Sequence, residues 1–283
     1  MANKRILVIG GTGYIGRVLV KELVKEFDVT LMLRKSPNYR TDYKYFICDL
    51  LNKECLIKNI KHFDIVIDLA SIIKTIHKKR YEENIIGLKN LIEVLEKNKI
   101  NKLVYFSTQN VNLANKGYYA KSKKNAEEII KKSNLDYMII RPNYVYEVGK
   151  KNYFYKIFSL ISKFNIVIII GNGDKKIQPV LREDLAAIVL KLIRDFKKKS
   201  IFEVSGKDTL SINQIVDLIS KSLKRNPIKI HLPIKILKIF SLIIPFDIVG
   251  FDEDRVSIKP YKKYNFLPFD KGLKEISSLL KNK

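Results

Sequence analysis

Two rhythms of apolar and polar positions run along this chain. RILVIG (5–10) is a short, nearly continuous apolar run, the pattern of a strand covered on both faces. In RVLVKELVKEF (17–27) the apolar residues fall at 18, 19, 20, 23, 24 and 27, which predicts a helix with one buried face. DVTLMLRK (28–35), YKYFICDL (43–50), FDIVIDLAS (63–71), NKLVYFST (101–108) and NLDYMIIRP (134–142) read as the second to sixth strands. Helical patterns lie between them, the clearest being YEENIIGLKNLIEVLEKN (81–98). This alternation predicts an α/β fold with a doubly wound parallel sheet and right-handed crossovers.

From about residue 150 the rhythm loosens. KIFSLISKFNIVIIIG (156–171) gives a helix and a short strand, REDLAAIVLKLIRDF (182–196) a helix, IFEVS (201–205) a strand, and SINQIVDLISKSL (211–223) a helix with Ser211 as its N-cap. We therefore expect a nucleotide-binding domain over 1–150 and a smaller α/β substrate lobe over 151–283, interleaved with the first and not independent of it. LPIKILKIFSLIIPFDIV (232–249) has its lysines on one helical face and apolar residues on the other. It predicts either a roof over a substrate pocket or an amphipathic helix in peripheral contact with an anionic membrane.

The turn after the first strand, GGTGYIG (10–16), carries chemistry. Gly11, Gly13 and Gly16 fit G-x-G-x-x-G, between a strand and a helix where that motif is informative. Gly10, Gly11, Thr12, Gly13, Tyr14, Ile15 and Gly16 predict a pyrophosphate cradle at a helix N-terminus in a Rossmann-type sheet. The second strand ends in Arg34 and Lys35, where NAD binding usually places a carboxylate. Two cations suit a ribose 2′-phosphate, so NADP is preferred, with NAD as the alternative. Arg17 is near enough in sequence to help. Ligands of such sheets sit at the carboxyl ends of strands, where Gly10, Arg34, Asp49 with Leu50, Ala70, Ser107 and Pro142 fall.

Composition changes this picture little. The 283 residues are 46% hydrophobic, enough for a substantial core. The net charge of +25 comes from lysines spread along the whole length, with ten arginines and no nucleic-acid-binding signature, so no nucleic-acid partner is expected. His62, His77 and His231 are scattered, and no metal is expected. Cys48 and Cys55 predict neither a disulfide framework nor a metal site, which suits a reducing cytoplasm. The glycine motif begins so early that no signal peptide is expected. Monomer and homodimer stay open.

KGYYAKSKKNAEE (116–128) contains one Tyr-x-x-x-Lys pair, Tyr119 with Lys123. On a helix the two share a face one turn apart. A nearby ammonium lowers the tyrosine pKa toward the working range, and it also holds the nicotinamide ribose hydroxyls. Ser107 and Thr108, at the end of the fifth strand, supply a hydroxyl to polarise a substrate carbonyl. Asn84 is expected to brace a helix against the sheet.

GGTGYIG, FSTQ, YAKSKKNAEE, IIRPNYVY and QPVLREDLAAIVLKL, in this order, resemble the short-chain dehydrogenase/reductase superfamily. The likeness is to its extended and atypical branches, the NAD-dependent epimerase/dehydratase-like group that includes the 39-kDa accessory subunit of respiratory complex I. It covers roughly residues 4–225. The resemblance implies Tyr119 as general acid/base with Lys123 as its partner, Asp49 near the adenine and Pro142 near the nicotinamide. The sequence departs from the sugar-nucleotide members at Gln109, where they carry Ser or Thr, and at Glu147, where they carry Gly. The implied activity is oxidoreduction of a small-molecule carbonyl or alcohol with NADP(H). Nucleotide-sugar epimerisation or dehydration, and a non-catalytic NADPH-binding subunit, are the alternatives.

Overall fold

In chain order the elements are β1 (Arg5–Ile9), α1 (Gly16–Leu23), β2 (Asp28–Leu33), β3 (Lys44–Ile47), α2 (Lys53–Asn59), β4 (Ile65–Asp68), α3 (Glu83–Lys97), β5 (Lys102–Phe106), α4 (Tyr118–Lys132) and β6 (Asp136–Pro142). There follow β7 (Tyr144–Tyr146), α5 (Tyr153–Phe164), β8 (Ile166–Ile170), β9 (Lys176–Ile177), β10 (Pro179–Leu181), α6 (Arg182–Arg194), β11 (Ser200–Val204), β12 (Leu210–Ser211), α7 (Ile212–Leu223), β13 (Ile228–Leu232), α8 (Ile234–Ile239) and α9 (Phe269–Lys281). This computed structural model describes residues 3–37, 41–149, 153–239, 249–250 and 252–281. The expected helix over 232–249 is seen only as α8, and residues 240–248 lie outside the described ones. Among the described residues no helix is long and apolar enough to cross a membrane.

The chain divides into two compact units, one of residues 1–111, 118–141 and 186–202, the other of 112–117, 142–185 and 203–283. The first is built on a sheet with the order β11-β6-β5-β4-β1-β2-β3. All pairings among β1 to β6 are parallel. β1 and β4, at its centre, are buried along almost their whole length, the reason their sequences are unbroken apolar runs. Helices close the faces with stripes at helical spacing: Gly16, Leu19, Val20 and Leu23 on α1, and Leu88, Leu91, Ile92 and Leu95 on α3. β11, read from the sequence as part of the C-terminal lobe, is instead the seventh strand of this sheet. Periodicity identifies a strand but not the sheet it joins.

Cys48 and Cys55 also correct the sequence reading: they form a disulfide, with Cα atoms 5.9 Å apart. Asn52 caps α2 by accepting from the Cys55 N–H at 3.0 Å, and the turn that leads into it brings the two residues together.

In the second unit, α5, α7 and α9 share a core of buried aliphatic and aromatic side chains. Tyr146, Phe154 and Phe269 meet there with ring centroids 5.0–5.7 Å apart, mutually edge-on. Ser211 and Gln214 form a reciprocal capping box on α7, as expected of Ser211.

A buried ion pair fixes α4 against the sheet. Glu127 on α4 is fully buried; it accepts from Arg141 Nε at 2.9 Å and Nη2 at 2.5 Å, and from the Ser107 hydroxyl at 2.6 Å. Removing one partner of such a pair strands the other charge in a low-dielectric interior. Glu127→Ala should therefore lower stability in urea unfolding by about 3 kcal/mol, and adding Arg141→Met should recover part of that loss. Equal stability of Glu127→Ala and wild type would show that the pair does not hold α4.

Candidate active site

The order of the sheet brings the predicted residues onto one edge. Pro142 ends β6, and Ser107 and Thr108 follow β5. Ala70 follows β4, Gly10 follows β1, Arg34 and Lys35 follow β2, and Asp49 and Leu50 follow β3. The chain reverses its direction of travel across the sheet between β1 and β4, the switch point at which open α/β sheets form a crevice. The ends of these two strands touch: a Cβ on Gly10 would lie 2.9 Å from the Ala70 nitrogen, and Gly10 itself takes a left-handed φ of +78°. Gly16 is confined as tightly, since a Cβ there would meet the Gly10 carbonyl and the Gly11 backbone.

These features fit a dinucleotide. Gly13 N–H donates to Gly10 O at 3.0 Å, closing the glycine turn. No side chain caps α1 at Ile15, and its start, where the Arg17 N–H donates to Gly13 O at 3.1 Å, lies directly at the glycine turn, the helix end that favours an anion. Beside the turn is a cavity of about 160 Å³ whose lining includes Gly11, Thr12, Arg17, Leu33, Thr41 and Tyr43. Arg17 is oriented there by donating from Nε to Thr12 O at 2.8 Å. Arg34 and Lys35 are exposed at the end of β2 and do not line this cavity. Asp49 folds its carboxylate back onto Leu51 N–H at 2.9 Å, and Asn90 donates to Leu50 O at 3.0 Å, so this loop is anchored from both sides.

On α4, Tyr119 and Lys123 lie one turn apart, as their spacing requires. Lys123 is 1% exposed. Its Nζ donates to Phe106 O at 2.6 Å and to the Tyr105 hydroxyl at 3.1 Å, and lies 4.4 Å from the Tyr105 ring centroid. Burial pushes this ammonium down to about 8, with the Asp68 and Glu127 carboxylates pulling it back up. Asp68, 2% exposed at the end of β4, is pushed up to about 6 by burial, against the pull of Lys123 and the Ala70 N–H. Both groups are therefore mostly charged at pH 7 and compensate one another.

One expectation about Tyr119 is not met. Its hydroxyl is held above the ordinary tyrosine range, not below it, because burial outweighs the Ser71 hydroxyl that pulls the other way. The Lys123 ammonium is spent on Phe106 and Tyr105 and does not register at the phenol. The Tyr119 ring packs beside Tyr81, with centroids 6.5 Å apart. Ser107 and Thr108 differ in turn: Ser107 Oγ donates to Glu127, whereas Thr108 Oγ accepts a long bond from Asn110 N–H at 3.3 Å. Asn84 braces α3 to the segment after β4, accepting from Ile72 N–H at 2.8 Å and donating to Ile72 O at 3.2 Å.

Asp68, Tyr105, Glu127 and Arg141 went unnoticed in the sequence. Glu127 carried a signal, since it extends the Tyr119, Lys123 series at a spacing of four. So did Asp68, an acid closing the apolar run IVID.

Comparison with known proteins agrees with this geometry. A 24% identical stretch of 144 residues, 46% of this chain and 43% of the relative, is shared with N-acetyl-alpha-D-glucosaminyl-diphospho-ditrans,octacis-undecaprenol 4-epimerase of Escherichia coli O157:H7. A 29% identical stretch of 111 residues, 38% of this chain and 30% of the relative, is shared with human decarboxylating sterol-4-alpha-carboxylate 3-dehydrogenase. The chain thus spans less than half the length of these curated relatives. The fold matches UDP-glucuronic acid 4-epimerase of Bacillus cereus, solved with UDP-glucuronic acid and NAD, with a TM-score of 0.75 over 98% of this chain and 99% of that one at 19% identity. The profile of the family described as NAD(P)H-binding matches residues 10–196, from the glycine turn through α4 to α6, and the chain belongs to that NAD(P)H-binding family.

Proposed function

We propose that the protein transfers hydride between NADP(H) and a carbonyl or alcohol carbon of a small molecule, with Tyr119 moving the proton. The observation that carries this reading is the buried Lys123 one turn beyond Tyr119, on a helix beside the strand ends where the glycine turn lies. The nicotinamide, when bound, supplies or accepts the hydride. The chain's own residues do the rest. Lys123 keeps its charge at neutral pH, and the N–H that it does not give to Phe106 or Tyr105 would hold the nicotinamide ribose hydroxyls. Tyr119 remains a neutral phenol at pH 7 and donates its proton to the oxygen that becomes an alkoxide. That ionisation state suits reduction as the net direction. Thr108 polarises the carbonyl, and Ser107, tied to Glu127, holds the strand end in place. Gly10 to Gly16 would cradle the pyrophosphate, Asp49 and Leu50 would border the adenine, Ala70 and Pro142 would flank the dinucleotide, and Arg34, Lys35 and Arg17 would meet the 2′-phosphate.

A redox-neutral epimerisation of a nucleotide- or diphospho-linked sugar is the second reading, favoured by the stretch shared with the Escherichia coli epimerase. The two separate in one assay. The purified chain with bound nucleotide is offered carbonyl compounds and UDP-sugars. A net change in nicotinamide absorbance supports the reductase; inversion at a sugar carbon without net change supports the epimerase. Bound nucleotide that no substrate alters would favour a non-catalytic NADPH-binding subunit.

Three outcomes follow from the residues. NADPH should bind more tightly than NADH, and Arg34→Ala should weaken NADPH binding roughly ten- to hundredfold while sparing NADH. Equal wild-type affinities would remove the 2′-phosphate role of Arg34.

Tyr119→Phe should keep nucleotide binding and lose turnover, whereas Lys123→Met should impair both; full activity in Tyr119→Phe would place the proton transfer elsewhere.

The Lys123 ammonium titrates at about 8 and is charged below that value. Calorimetric NADPH affinity should thus fall as pH rises through 8, and the fall should vanish in Lys123→Met. An identical fall in that variant would assign the titration to another group.

A further inference from the structure

β8 and β13 form a two-stranded parallel sheet in the second unit, with Ile166 opposite Ile228, Ile168 opposite Ile230 and Ile170 opposite Leu232. Residues paired across parallel strands point to the same side, so these six aliphatic side chains share one face. The opposite face is the core face. Val167 and Ile169 are 1% and 0% exposed, and Lys229 is drawn to Asp217 of α7 at 2.6 Å. The six-residue face therefore looks outward. Ile228 is 66% exposed, Ile168 47% and Ile230 45%. Phe164, just ahead of β8, is 65% exposed, and Ile236 on α8 is 40% exposed. A strand with one face in solvent normally alternates apolar with polar residues; β13 does so, setting Ile228, Ile230 and Leu232 outward against Lys229 and His231, whereas β8 is apolar on both faces, and in both strands the outward side is the aliphatic one.

The charge of the segments that carry this face bears on what covers it. No Asp or Glu occurs between Glu147 and Asp174, the stretch that contains β8, nor between Asp217 and Asp247, the stretch that contains β13 and α8. The first stretch holds four lysines, the second five lysines and an arginine. Lys163 and Lys235 are exposed beside Phe164 and Ile236. A second copy of the chain would press one basic rim against another, on top of a net charge of +25 on each partner. An anionic lipid surface matches both features, with phosphate headgroups for the rim and acyl chains for the isoleucines.

We infer that the β8–β13 face docks the protein onto an anionic membrane surface, its isoleucines entering the headgroup–acyl boundary and its lysines among the phosphates. This goes beyond the reaction proposed above and does not depend on it. It also differs from the helix expected over 232–249, since the apolar contact comes from a sheet.

Co-sedimentation of the full chain with vesicles tests it, using phosphatidylcholine alone and phosphatidylcholine with phosphatidylglycerol. Wild type should bind only the anionic vesicles and should retain part of that binding in high salt. Ile168→Ser combined with Ile230→Ser should weaken binding roughly tenfold or more, with nucleotide affinity and melting midpoint unchanged. Lys163→Glu combined with Lys235→Glu should remove the salt-sensitive part. If the serine pair does not fold, Ile168→Thr with Ile230→Thr keeps the β-branch and reads the same effect. Absence of binding to anionic vesicles would overturn the inference. So would binding that high salt abolishes and the Ile168 and Ile230 changes leave intact, which is the diffuse charge of the chain alone. A wild-type dimer in sedimentation that these changes convert to monomer would assign the face to a second copy instead.

Discussion

The first unit is organised around one buried ammonium. Lys123 is almost wholly removed from water, and a charge there is tolerable only with partners on every side. The Phe106 carbonyl and the Tyr105 hydroxyl accept its hydrogen bonds, and Asp68 and Glu127 offset its charge. Each partner then acquires obligations of its own. Glu127 must satisfy Arg141 and Ser107, and Asp68 must accept from the Ala70 N–H. In this way one side chain on α4 sets the ends of β4, β5 and β6, the edge where the candidate chemistry lies.

The same constraint explains why the tyrosine and the lysine behave less simply than their spacing suggests. A helix brings residues four apart onto one face, but the direction of a long side chain is decided by the best partner in reach. For Lys123 that partner is the β5 carbonyl, a stronger attraction in a dry interior than a neutral phenol. Tyr119 is left desolvated and protonated, able to act as a proton donor but, by its burial, a weaker acid than a free tyrosine. At the glycine turn the backbone governs: the glycines leave room for β1 and β4 to approach, and no side-chain hydrogen bond caps α1.

The second unit obeys a different logic. Its core is aromatic, with Tyr146, Phe154 and Phe269 packed edge-on, and its small sheet sets an aliphatic face outward, β8 being aliphatic on both sides. An apolar surface left in water carries a standing cost, and in a chain with so many lysines an anionic surface is the natural place to remove it.

Read alone, the amino-acid sequence determined the α/β class, the run of strands and helices through β6, the glycine turn, the Ser211 cap and the Tyr119–Lys123 spacing. Each of these is written in neighbouring residues, as periodicity, as turn chemistry or as a helical repeat. It did not reveal that β11 completes the main sheet, that Cys48 meets Cys55, that Asp68, Tyr105, Glu127 and Arg141 surround Lys123, or that Ile168, Ile228 and Ile230 stand exposed on the β8–β13 face. Those outcomes depend on which distant segments come together. Arg141 lies fourteen residues from Glu127 on a different element, and IVIII reads the same whether its second face is covered or bare. Local pattern fixes what an element is; the desolvation of a charge or the exposure of a face is decided only when the elements pack, because both depend on what displaces the water.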